Sequence, residues 1–168
     1  MTAPLRIALA GLGTVGTGVI RVIEENGPMI SQRAGRSIEI PAISARDPKL
    51  DRGIDLTPYA WIDQLEDLAN HPEVDCVVEM IGGSEGHALD LARQTIASGK
   101  SFVTANKAMI AHHGMELAKA AESRGVSLKY EAAVAGGIPV IKGLREGASA
   151  NRIERVHGIL NGICNYIM

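Results

Sequence analysis

The chain has 168 residues, enough for one domain with a hydrophobic core and too few for two of ordinary size. With 17 basic against 19 acidic residues and a net charge of −2 it has no long-range field to recruit nucleic acid or an anionic membrane; at 3% aromatics it also lacks stacking platforms, so a small-molecule partner is expected. Cys76 and Cys164, the only two cysteines, have no paired spacing, and the first apolar run breaks at Gly11; a disulfide scaffold, a signal peptide and a membrane span are all disfavoured, and a cytoplasmic location is expected.

Leu5 to Ala10 reads as a buried strand without polar alternation. Beyond a glycine turn, Val15, Val19, Val22 and Ile23 repeat at helical spacing, and Asn26-Gly27-Pro28 is expected to stop that helix. Ser37 to Ile43 is a second strand, followed by a polar loop. Ile62, Leu65 and Leu68 mark a short helix ending at Asn70-His71-Pro72, and "VDCVVEMIGG" is a third buried strand running into Gly82-Gly83. Ala88, Ala92 and Ile96 give the next helix its inner face, "SFVTANK" is a strand with a polar tip, Met115 to Arg124 is helical, and "VSLKYEAAV" is extended. Apolar strands alternating with helices predict an α/β fold, a Rossmann-type doubly wound parallel sheet covered on both faces.

After Ala135 the character changes. "GGIPVIKGLREG" reads as a loop opening a short helix, and "RIERVHGILNG" as a weakly patterned extended stretch. The expected organisation is a dinucleotide-binding domain over residues 1–135, with residues 136–168 beginning a second, substrate-binding and dimerisation domain. The apolar ending "NGICNYIM" reads as a segment just starting, so the chain is expected to be the amino-terminal portion of something longer.

Gly11, Gly13 and Gly16 form G-x-G-x-x-G between a strand and a helix. In that setting the first glycine allows the tight turn, the second lets a pyrophosphate approach the backbone, and the third lets helix and strand pack closely. The unpaired amides of the first helical turn, Thr14, Val15 and Gly16, together with the helix dipole, favour the phosphates. The alternative is a strand-to-helix turn that binds nothing. Ser44-Ala45-Arg46-Asp47 at the end of the second strand offers a guanidinium before a carboxylate, which suits the 2′-phosphate of NADP over the ribose hydroxyl of NAD. NAD remains possible, because Arg46 and Asp47 also read as an ordinary solvated pair.

By "VVEMIGG", "FVTANKAMIA", "YEAAVAGGIPVIKGLRE" and "GILNGICNYIM", the sequence resembles the amino-terminal part of homoserine dehydrogenase. The resemblance implies an oxidoreductase that interconverts L-aspartate 4-semialdehyde and L-homoserine with a nicotinamide cofactor, on the branch to threonine and methionine, and a homo-oligomer at full length. It assigns Lys107 to the cofactor and active-site region. The family's catalytic lysine and substrate-binding acids belong to the substrate domain, downstream of Met168. The family usually has threonine where this chain has Ile163.

The residues themselves allow two readings at several of these positions. Gly82 and Lys107 sit at the carboxyl edge of the expected sheet, where open α/β sheets bind ligands; Lys107 reads either as a donor to nicotinamide or substrate, hence a candidate catalytic residue, or as a solvent-facing lysine before a helix. In "EAAVAGGI", alternating carbonyls of Glu131, Val134, Gly136 and Ile138 would suit a hard cation of low charge, and the resemblance implies a structural sodium ion there; a Gly-Gly loop entering a helix explains the same letters. His112 and His113 have no partner at ligand spacing and are expected to cap or precede a helix. Two other functions compete: a non-catalytic nucleotide-sensing module built on the same turn, and a phosphorylating semialdehyde dehydrogenase with Cys164 as nucleophile.

Overall fold

The computed structural model describes residues 2–158. A six-stranded, fully parallel sheet runs in the spatial order β3-β2-β1-β4-β5-β6, from β1 (Leu5–Ala10), β2 (Ile38–Ser44), β3 (Ala60–Trp61), β4 (Cys76–Glu79), β5 (Ser101–Thr104) and β6 (Leu128–Lys129). The chain winds outward one way from β1 and, after returning to β4, the other way. This is the doubly wound Rossmann-type architecture, and its order reverses between β1 and β4.

Successive side chains of a strand point to opposite faces, and here each face is apolar, so each needs a cover. Ile7 and Leu9 pack with Ile20 of α1 (Thr14–Ala34), Ile40 and Ile43 on one face. Ala8 and Ala10 lie on the other, with Leu68 of α2 (Asp67–Asn70), Leu89, Ala92 and Ile96 of α3 (His87–Ala97), and Met109, Leu117 and Ala121 of α4 (Lys107–Arg124). Alanines on that second face let its helices sit close to the sheet. Arg6 and Asp75 pin the amino ends of β1 and β4: Asp75 accepts the Arg6 main-chain N–H at 2.9 Å and its guanidinium at 3.2 Å.

Several elements depart from the sequence reading. The first helix does not stop at Asn26-Gly27-Pro28 but continues to Ala34 with Pro28 inside it. Proline there removes one amide, and Pro28 is exposed, so the carbonyl it deprives can meet water; the stop is Gly35, left-handed at φ 72°. Helix α4 begins at Lys107, well before Met115, because the Asn106 side chain caps it by accepting the Met109 N–H at 3.0 Å. His112 and His113 therefore lie inside α4, not before it. The expected helix across Ile62, Leu65 and Leu68 shrinks to α2, and the short edge strand β3 precedes it. "VSLKYEAAV" is extended only at β6 before a 3₁₀ turn at Glu131–Ala133.

Beyond the sheet, α5 (Val140–Lys142) continues into a single wide turn at Gly143–Gly147, and residues 152–158 have no regular structure. Ile163 and Cys164 lie outside the described residues. Among the described residues no helix is long and apolar enough to cross a membrane.

Candidate functional site

At the carboxyl ends of β1 and β4, where the strand order reverses, the surface opens into a cleft of about 590 Å³. Its lining comes from four segments: the Gly11-Leu12-Gly13 turn, the loop from Ser44 through Asp47 to Arg52, the stretch Asp63–Glu66 before α2, and Met80-Ile81 after β4, with His87 at the start of α3.

The three glycines of the turn occupy unlike environments. Gly11 is left-handed, at φ 98°, and a Cβ there would lie 2.8 Å from the Met80 carbonyl oxygen. A Cβ on Gly16 would lie 2.0 Å from the Gly11 carbonyl oxygen, so only glycine lets α1 start this close to β1. A Cβ on Gly13 would meet nothing within 4 Å. The chain is thus crowded where it must pack and open where a ligand would approach. Gly13 is also the N-cap of α1 and brings no side-chain cap. The first intrahelical bond runs from Thr17 N to Gly13 O at 3.0 Å, which leaves the amides of Thr14, Val15 and Gly16 outside the helical ladder at the positive end of a 21-residue helix.

Arg46 stands exposed just beyond β2 and lines the cleft. The carboxylate of Asp47 is turned to its own loop, accepting the Lys49 N–H at 2.8 Å. His87 and Glu66, both lining residues, are joined at 2.8 Å, and this bond holds the Glu66 carboxyl below the usual range.

A second set of contacts, which sequence reading missed, shapes the edge after β4. Glu79 is completely buried at the end of that strand. One carboxylate oxygen accepts the N–H groups of Ile81 and Gly82 at 2.6 and 3.0 Å; the other accepts the Thr104 hydroxyl at 2.5 Å. The register pairs Glu79 with Thr104 directly across β4 and β5. Thr104 in turn accepts the Asn106 N–H at 2.9 Å, and the Asn106 amide donates to the Gly83 carbonyl at 2.6 Å. The glycine turn after β4 is thereby tied to the capped start of α4. Lys107, the first residue of α4, is exposed, and Gly82 is left-handed at φ 88°. Both lie at this edge but not among the cleft's lining residues.

Glu131, Val134, Gly136 and Ile138 lie apart from the cleft, after β6. The two carboxylate oxygens of Glu131 each accept an amide, from Ile141 and Lys142, both at 3.0 Å. The main-chain oxygens of Glu131 and Ile138 accept the N–H groups of Val134 and Val140 at 3.2 and 2.8 Å, and each keeps a second lone pair. His113 bonds Glu85 at 2.7 Å and lies 3.5 Å from Glu116, which Arg93 also holds.

The family described as "Homoserine dehydrogenase, NAD binding domain" matches residues 11–131, and the one described as "Homoserine dehydrogenase" matches residues 139–168. The chain belongs to the homoserine dehydrogenase family. It is 50% identical over 167 residues to a homoserine dehydrogenase of Pseudomonas aeruginosa, covering 98% of this chain and 37% of that protein. To that of Helicobacter pylori it is 45% identical over 168 residues, covering 100% of this chain and 38% of the other. The crystal structure of a homoserine dehydrogenase from Thiobacillus denitrificans superposes with a TM-score of 0.88 at 45% identity, covering 98% of this chain and 38% of that one. The chain thus spans well under half the length of these homoserine dehydrogenases. What it shares with them includes the nicotinamide-cofactor-binding domain, and the glycine turn at the strand reversal lies within that match.

Proposed function

We propose that this chain supplies the cofactor-binding portion of an NADP-preferring homoserine dehydrogenase, which interconverts L-aspartate 4-semialdehyde and L-homoserine by hydride transfer in threonine and methionine biosynthesis. The observation that carries the reading is the open space at Gly13 between the crowded Gly11 and Gly16, facing the uncapped amides of a long helix. A pyrophosphate of a dinucleotide fits there, with Thr14, Val15 and Gly16 as donors. Arg46 supports NADP over NAD because its planar fork is the first charged group after β2 and the Asp47 carboxylate is already engaged with Lys49.

In this reading residues 1–135 form the dinucleotide domain and 136–168 begin the substrate domain of a cytoplasmic homo-oligomer. Gly82 lets the cofactor pass close to the backbone after β4. Lys107, an exposed amine beside that edge, orients the nicotinamide or a substrate oxygen. Hydride transfer itself is the chemistry of the nicotinamide. The carbonyls of Glu131, Val134, Gly136 and Ile138 are hard, uncharged donors of the kind a sodium ion takes, and the Glu131 carboxylate serves instead to hold the start of α5.

Fluorescence titration of NADPH and NADH against the chain and Arg46→Ala tests the reading. A charge-assisted contact is worth about 1.5–3 kcal/mol, so the substitution weakens NADPH by roughly tenfold to a hundredfold and leaves NADH unchanged. Equal affinities that Arg46→Ala does not alter would refute the NADP preference.

A further inference from the structure

Arg52 sits half-buried in the loop after β2, six residues beyond Arg46. Its guanidinium donates to three main-chain carbonyls: Nε to Leu12 at 3.0 Å, one terminal nitrogen to Leu50 at 2.8 Å and the other to Asp47 at 2.7 Å. Its central carbon lies 5.6 Å from the centroid of the Trp61 ring on β3. Leu12 belongs to the glycine turn, and Asp47 and Leu50 to the loop that carries Arg46. One side chain therefore spans the two segments that a dinucleotide would contact with its pyrophosphate and with its 2′-phosphate, and an aromatic ring on a third segment backs it.

We propose that Arg52 is a positioning residue for cofactor selectivity: it fixes the Arg46 loop relative to the glycine turn, so that Arg46 meets the 2′-phosphate without first having to be ordered. The inference rests on the NADP reading given above. Three features of the contact support it. The acceptors are all backbone, so the clamp sets main-chain geometry whatever the neighbouring side chains are. All three guanidinium nitrogens are used in divergent directions, which an ammonium group on a lysine stem cannot reproduce. The Trp61 ring lies behind the guanidinium, 5.6 Å from its central carbon, and holds its plane in place. A flexible loop would have to be ordered on binding, a cost that falls on the ligand that uses Arg46 and largely spares the one that does not.

The test measures dissociation constants for NADPH and NADH on the chain and its Arg46→Ala, Arg52→Lys, Arg52→Ala, Trp61→Leu and Arg46→Ala/Arg52→Ala variants, with a thermal melt of each. Arg52→Lys and Arg52→Ala should weaken NADPH by about tenfold and NADH by less than about threefold, and Trp61→Leu should shift the ratio the same way by less. The double variant should be no less selective than Arg46→Ala alone, because the clamp acts through Arg46. Faster hydrogen exchange at the amides of residues 46–50 in Arg52→Lys should accompany the loss, and this readout survives even where Arg52→Ala folds poorly. If Arg46→Ala removes the preference for NADPH while the Arg52 variants weaken both cofactors equally or neither, Arg52 is only a structural brace. A ratio that Arg46→Ala leaves untouched would overturn the NADP reading, and this inference with it.

Discussion

A Cβ on Gly16 would lie 2.0 Å from the carbonyl oxygen of Gly11, well inside any tolerable contact and against backbone that cannot rotate away. A Cβ on Gly13, between them, would meet nothing within 4 Å, and the φ of −79° there is one that any residue can adopt. The two positions should therefore fail differently. Gly16→Ala should destabilise the fold by about 3 kcal/mol through overpacking at the start of α1. Gly13→Val should melt close to wild type and yet abolish dinucleotide binding, because its side chain would fill the space left open for phosphate. Circular dichroism melts alongside NADPH titrations check both; normal binding by Gly13→Val would show that the turn is only structural.

Among the described residues, the buried Glu79 carboxyl has three hydrogen-bond partners, two amides and a hydroxyl, and no cation. Glu79→Ala leaves those donors unpaired inside the protein and should cost about 3 kcal/mol or more, while Thr104→Val, which breaks one link to Glu79 and one to Asn106, should cost about 1–2 kcal/mol. The two losses should not add, since both act on one network. Urea unfolding of the single and double variants measures this, and strict additivity would mean that the two groups act independently.

The Asp75 carboxyl is held below its ordinary value of 3.8, first by the Arg6 main-chain N–H and then by its guanidinium. Its folded value thus lies below its unfolded one. The stabilisation is fully present above the unfolded value and disappears as pH falls through the folded one. Asp75→Asn should be less stable than wild type at neutral pH, and the gap should close below about pH 4. Denaturant midpoints collected from pH 7 downward would decide it; a gap that stays constant to the lowest pH would rule this linkage out.

Burial pushes the Cys76 thiol up to about 11, and the side chain is 5% exposed within the core beneath α1. The thiolate is the reactive form. In a Cys164→Ser background, Cys76 should resist iodoacetamide at pH 8 in the folded protein and react readily once denaturant is added. Rapid modification without unfolding would show that this face of the sheet opens.

What the sequence determined by itself was local. An unbroken apolar run from Ile7, three glycines at fixed spacing and a helical repeat beginning at Val15 are enough to define a strand, a turn and a helix, because each is governed by neighbours within a few residues. The parallel order followed from the same alternation. Position along the chain also marked Arg46, at the end of the second strand, as a residue to place beside a ligand.

Tertiary structure alone decided how those pieces are tied together. Glu79 and Thr104 are 25 residues apart, and their bond exists because β4 and β5 settle in a register that pairs them. In sequence Glu79 is one acid in an apolar strand, and nothing nearby says whether it faces water or a partner. Arg52 reads as one more loop arginine, yet it reaches Leu12, 40 residues away. Pro28 reads as a stop, but α1 packs on the sheet and carries the helix past one missing hydrogen bond. The register between strands and the reach of a long side chain are set by packing across the whole sheet, and no window of neighbouring residues contains that information.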